Sequence, residues 1–181
     1  MSQQYGELSA PDTLSIERML PGPIERVWRY VTEPELRKSW LAAGPMELRP
    51  GGQVRMEFDN STLSTEEDEP PPQQYADNGG KHVMQGIVTA CEPPHLLSYT
   101  WPMGEGEPSE VCIRLTAQGD QVLLQLTHSR LTRSGQILAV SGGWHLHLDV
   151  LLARLREETP PLFWATFKKL EAEYSRRLNL V

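Results

Sequence analysis

The chain has 181 residues, 24 acidic and 17 Lys or Arg, for a formal charge of −7. That is long enough for one domain with a real core. It contains no apolar run of membrane-spanning length and no basic stripe of the kind that nucleic acids or anionic membranes attract. The polar opening, MSQQYGELSAPDT, lacks the apolar stretch of a signal peptide, which predicts a cytoplasmic protein. The two cysteines, Cys91 and Cys112, have no metal-ligand spacing and read as reduced thiols within strands.

Residues 1–11 read as a flexible tail. In 13–20, Leu14, Ile16 and Arg18 alternate with Ser15, Glu17 and Met19, which predicts a first strand. Pro21-Gly22-Pro23 ends it, and Pro23 suits the first turn of a helix. Ile24, Val27, Trp28 and Val31 recur at helical spacing, giving a short helix over 23–31. Thr32 and Glu35 have capping-box spacing around Pro34, so a second short helix is expected over 33–41, presenting Leu36 and Trp40. Segments 45–50 and 52–60 are joined by the turn signal Pro50-Gly51-Gly52. In the latter, Val54, Met56 and Phe58 alternate with Gln53, Arg55, Glu57 and Asp59, a strand with one wet face.

Residues 61–80, STLSTEEDEPPPQQYADNGG, hold an acidic run, three prolines and a glycine pair. Such a composition buries too little apolar surface to order itself, so a mobile, solvated loop between two hairpin strands is expected. Strands then crowd. One covers 83–91, and another covers 96–101 with Leu97, Tyr99 and Trp101 on one side. In 110–117, Val111, Ile113 and Leu115 share a face, and after the turn Gln118-Gly119-Asp120 so do Val122, Leu124, Leu126 and His128. The pattern is an antiparallel meander with one apolar face. Residues 131–140 read as an irregular lead-in. Within 141–158, Trp144, Leu148, Leu151 and Leu155 form one face of a long amphipathic helix, with Ser141 and Gly142-Gly143 as its start. Thr159-Pro160-Pro161 interrupts it. Residues 159–181 add a further helix whose face is Phe163, Phe167, Leu170, Tyr174 and Leu178. That face extends the long helix beyond a kink, lies on the outside of the domain, or meets a second copy of the chain in a homodimer.

His128, His145 and His147 are the residues suited to acid–base work. His128 ends an inward row and His147 lies one turn from Trp144, so these two are the candidates; the bland alternative is a histidine bonded to a carbonyl or facing solvent. His145 and His147, two apart, project to different helix sides and cannot share an ion, so no metal site is expected. No G-x-S-x-G elbow or phosphate loop is present, and no cofactor is expected. The apolar set is the stronger signal. Trp40, Met56, Phe58, Tyr99, Trp101, Leu126, Trp144, Leu148 and Leu151 line or close the space between sheet and long helix, with His128, Tyr99 or Arg114 as an orienting polar group where they point inward. The residues alone leave a packed core without a cavity equally open.

The element order combines with a series of local patterns: ERVWRYVTEPELRKSW (25–40), LRPGG (48–52), GIVTACEPPHLLSYTW (86–101), LLQLTHSRL (123–131) and GGWHLHLDVLLARL (142–155). Together they resemble the SRPBCC (START/Bet v1-like) superfamily and, within it, the proteins named after the C-terminal domain of the Hsp90 ATPase activator Aha1. The resemblance covers 12–158; the insertion 61–80 and the final helix depart from it, although similar tails occur in some bacterial members. It implies an α+β helix-grip fold: two short helices after the first strand, and a curved antiparallel sheet wrapped around a long C-terminal helix and enclosing an apolar cavity. It further implies non-covalent binding of a small hydrophobic molecule, lipid-, flavonoid- or polyketide-like. The alternatives are a cyclase- or hydrolase-type enzyme using His128 or His147, and a co-chaperone-like module acting on an Hsp90-type ATPase.

Overall fold

The computed structural model describes residues 4–76 and 80–180. The strands are β1 (Glu7–Ala10), β2 (Thr13–Pro21), β3 (Gln53–Asp59), β4 (Lys81–Glu92), β5 (Leu96–Trp101), β6 (Ser109–Gln118) and β7 (Gln121–Ser129). They form one curved antiparallel sheet in the order β1-β2-β7-β6-β5-β4-β3. The helices are α1 (Ile24–Thr32), α2 (Pro34–Arg37), α3 (Gln73–Ala76), α4 (Ser134–Arg156) and α5 (Phe163–Arg177). This is an α+β helix-grip fold, with α4 packed on the sheet and α5 packed on α4.

Alternation sets the register. Leu14, Ile16, Arg18 and Leu20 of β2 lie opposite His128, Leu126, Leu124 and Val122 of β7, and all eight are buried. A slip of one residue would turn this whole row to solvent. The helix row Trp144, Leu148, Leu151 and Leu155 closes the core, each residue nearly free of solvent and contributing about 1.5–3 kcal/mol by burial. One inward position is charged. Arg18 donates from Nε to Asp149 Oδ1 on α4 at 3.0 Å, and from Nη1 to the carbonyls of Gln4 at 2.7 Å and Glu17 at 2.8 Å. A second buried cation, Arg37, donates to the carbonyls of Thr32, Ala42 and Gly44, tying the end of α1 to the chain after α2.

Several local expectations are corrected. The long helix begins at Ser134, not at Ser141. The side-chain carbonyl of Gln136 accepts from the N–H groups of Thr132 at 3.1 Å and Arg133 at 3.3 Å, which starts the helix a full two turns earlier. Ser141 is buried in mid-helix and its hydroxyl has no partner among the described residues. Gly142 sits in mid-helix against α5, where a Cβ would make ordinary contact with the Phe167 ring at 3.4 Å. The helix ends with Glu157 in the left-handed region at φ 59°.

The expected tail contains β1, which pairs Glu7 with Ser15 and Leu8 with Leu14; four residues are too few for alternation to announce a strand. Gly6 N–H also donates to the Tyr174 hydroxyl of α5 at 2.7 Å. Residues 1–3 of that tail lie outside the described residues. Over 33–41 the helix is a single turn, Pro34–Arg37, followed by hydrogen-bonded turns, and 45–50 contributes only a bridge, Met46 opposite Val54.

The acidic insertion is tied down rather than free. Leu63 is buried, and Ser64 and Asp68 accept hydrogen bonds from the first amides of α5. Those partners come about a hundred residues later in the chain, where local composition gives no sign of them. Residues 77–79 of the expected loop lie outside the described residues.

Candidate functional site

At one end of the sheet the core does not close. A cavity of about 460 Å³ lies between β3–β5, the N-terminal half of α4, α5 and the insertion. Its walls follow from the elements. From α4 come Ala139, Val140, Gly143, Trp144 and His147, one helix face at spacings of three to four residues. From the sheet come Phe58, His82 and Trp101, with Leu41 and Met103 beside them. The outer wall is Phe163, Trp164 and Phe167 of α5 with Asn60, Gln74, Tyr75 and Gly80 of the insertion.

The rings touch in series around this space. His82 stacks on Phe58 with centroids 4.3 Å apart and planes at 4°. His147 meets Phe163 at 5.1 Å, Phe163 meets Trp164 at 5.1 Å, and Trp164 meets Tyr75 at 5.9 Å. On the other side Trp101 packs against Trp144 at 5.4 Å. Gly80 is required here: its φ is +79° and a Cβ would come within 2.5 Å of the Trp164 ring.

Of the sequence candidates, the structure brings Phe58, Trp101, Trp144 and His147 to the cavity. Trp40, Met56, Tyr99, Leu126, His128, Leu148 and Leu151 are buried in packed core and do not line it. Arg114 faces outward and orients nothing inside. Burial pushes the Tyr99 phenol up, and its hydroxyl has no partner among the described residues.

His128 sits behind the wall and its hydrogen bonds fix its tautomer. Trp144 Nε1–H donates to His128 Nδ1 at 3.0 Å. The proton therefore resides on Nε2, which donates to Ser109 Oγ at 2.7 Å, and Ser109 donates in turn to the Trp101 carbonyl at 2.6 Å. Burial pushes this imidazole down to about 3. Both nitrogens are thus committed inside the core, and His128 does not line the cavity. It positions the two tryptophans of the wall.

His147 is arranged differently. Its Nδ1–H donates to the Trp40 carbonyl at 2.8 Å. Nε2 is left as an acceptor, with no hydrogen-bond partner among the described residues, on a residue that lines the cavity. Burial pushes its pKa down to about 4, although the bond to Trp40 works the other way. His145, two residues earlier, points elsewhere: its Nδ1 lies 2.9 Å from the Tyr174 hydroxyl and its Nε2 lies 3.4 Å from Asp149. Two further wall residues carry enclosed polar atoms without partners among the described residues, Trp164 Nε1 and Asn60 Oδ1.

The comparisons with known proteins agree with this architecture. A family model described as Activator of Hsp90 ATPase homolog 1-like protein matches residues 21–156. The chain belongs to that family. Among solved structures, a Bordetella parapertussis protein determined by solution NMR is 38% identical, with a TM-score of 0.78, over 98% of this chain and 93% of that one. CalU16 from Micromonospora echinospora is 23% identical, with a TM-score of 0.67, over 91% of this chain and 86% of its own. DynU16, from the dynemicin biosynthetic locus, is 22% identical with a TM-score of 0.61; the match covers 86% of this chain and 51% of DynU16. The last two likenesses speak to the fold alone. No curated protein is recognisably similar to this chain.

The family match stops at residue 156, before Phe163, Trp164 and Phe167. These wall residues, like Tyr75 and His82, were not singled out from sequence as a site. The signal was present in the crowding of Phe163, Trp164 and Phe167 at the start of the final helix, where more aromatic surface collects than a covering helix needs. Among the described residues no helix is long and apolar enough to cross a membrane.

Proposed function

We propose that the protein binds a small hydrophobic molecule, without covalent chemistry, in the cavity between the sheet, α4 and α5. The observation that carries this reading is the aromatic-walled space of about 460 Å³, mostly apolar in its lining, beside a core of buried apolar residues. Ligand sites are concave, mostly apolar and of this size, with a small number of polar groups for orientation. Membership of a helix-grip family supports the same reading, as does the fold shared with a protein from the dynemicin biosynthetic locus.

Tryptophan fluorescence and amide NMR titration with a panel of lipid-, flavonoid- and polyketide-like compounds tests it, because Trp101, Trp144 and Trp164 all stand in the wall. Val140→Trp is the control, since it places a large side chain in the space itself. Binding with shifts confined to wall residues, lost in Val140→Trp, is the expected result. A panel with no binder, or binding undiminished by Val140→Trp, overturns the proposal.

A further inference from the structure

The chemistry of the wall says what kind of molecule fits, and this step rests on the cavity being a ligand site. Among its described lining residues there is no Asp, Glu, Lys or Arg. Both histidines there are held toward the neutral form by burial. An ionised ligand group placed inside would lose its water and gain no counter-charge.

Deepest among the rings, on the α4 side of the lining, is the imidazole of His147, and its Nε2 has no hydrogen-bond partner among the described residues. Because Nδ1 donates to the Trp40 carbonyl, Nε2 bears no proton and only accepts. Rings surround it: Phe163 at 5.1 Å, Phe58 at 6.4 Å and Trp144 at 6.5 Å from the imidazole centroid. A flat ring system can lie among these faces with its edge toward the imidazole. Trp40 itself is fixed, its indole N–H donating to the Tyr30 carbonyl at 2.8 Å, so the acceptor is held in place from behind.

We propose that the cavity selects uncharged aromatic alcohols, whose hydroxyl donates to His147 Nε2 while the rings lie among Phe58, Trp144 and Phe163. The corresponding ether has no proton to give. The corresponding carboxylate is charged and presents an acceptor to an acceptor. This makes His147 the residue that sets specificity, and assigns it no chemistry beyond one hydrogen bond.

Three naphthalenes of one ring system test the idea by calorimetry on the full chain at pH 7: 2-naphthol, 2-methoxynaphthalene and 2-naphthoate. The alcohol is expected to bind about tenfold more tightly than either of the others, the fold-change of one good hydrogen bond in a dry site. In His147→Leu the alcohol should fall to the level of the ether, and the ether should not change. That variant strands the Trp40 carbonyl; if it does not fold, the alcohol-to-ether ratio in the unaltered protein still decides. Equal affinity for alcohol and ether, or a carboxylate that binds as well as the alcohol, overturns the inference and leaves the cavity a binding site. Failure of all three to bind, or binding undiminished in Val140→Trp, removes the ligand site itself.

Discussion

Replacing Asp68 with alanine should loosen the outer wall of the cavity while leaving the sheet intact. Helix α5 has no cap of its own, since Leu162 stands at its N-cap position. Its first amides are met from the insertion: Asp68 Oδ2 accepts from Trp164 N–H at 2.7 Å and Oδ1 from Ala165 N–H at 3.2 Å. Ser64 Oγ accepts from Phe163 N–H at 2.9 Å and donates to Asp68 at 2.9 Å. Losing such a cap costs about 0.5–2 kcal/mol, and losing a carboxylate at a helix N-terminus costs about 0.3–1 kcal/mol more. The expected loss is therefore about 1–3 kcal/mol, toward the low end because Asp68 is part-exposed.

Urea unfolding gives the global figure, and hydrogen exchange at the amides of 163–167 shows whether the effect is local. Asp68→Asn keeps an acceptor and should recover part of the loss. Burial opposes ionisation of Asp68, but the donors from Trp164, Ala165 and Ser64 outweigh it and hold the carboxyl below its usual range. The stabilisation is thus present at neutral pH and is lost as pH falls through that lowered value, below about 4. An alanine variant within about 0.3 kcal/mol of the parent, with unchanged exchange over 163–167, would refute the capping argument.

Acid should weaken the protein well above the carboxylate range. His128 and His147 are held at about 3 and about 4, against about 6.5 in an unfolded chain, so the unfolded state takes up protons first. Stability is full above about pH 6.5 and falls by up to about 1.4 kcal/mol per histidine per pH unit below it; a flat profile of urea midpoints from pH 7 to 5 would sink this reading. Trp144→Phe keeps an aromatic ring, smaller than the indole, but leaves His128 Nδ1 without its donor, and should cost about 1–3 kcal/mol by urea unfolding; a neutral result would mean the bond is not formed. Gly80→Ala forces a Cβ against the Trp164 ring at a positive φ. A loss of about 1–3 kcal/mol with a shift in tryptophan emission is expected, and unchanged emission counts against this packing.

The sheet was legible because alternation is a local property. Val54, Met56 and Phe58, or Val122 through His128, announce their faces with no help from the rest of the chain. Helix starts were harder. Ser141-Gly142-Gly143 has the look of a cap, yet the serine is buried in mid-helix and Gly142 faces a helix that arrives twenty-five residues later, at Phe167. The cavity was half legible. Phe58, Trp101 and Trp144 belong to the predicted inner faces, and each of them reaches it. Tyr99 and Leu126, on the same faces, lie deeper where the core is filled, and period alone cannot say how far along a strand the packing ends. His128 and His147 looked alike in sequence. What separates them is a third residue in each case, the indole of Trp144 or the carbonyl of Trp40, and neither pairing is written in spacing.

The insertion joins β3 and β4, which pair directly, and α5 follows the last helix of the family match. Neither segment carries the register of any other strand. Doubling a surface loop costs only about 0.6 kcal/mol in closure entropy, so the insertion can drift in length and composition at little risk to the fold. Part of the chamber wall is thus carried by a segment that sets no strand register, while α5 is itself packed into the core through Phe163, Phe167, Leu170 and Tyr174. Grafting residues 60–80 and 163–177 from a relative should exchange ligand preference between two proteins while each keeps its own sheet.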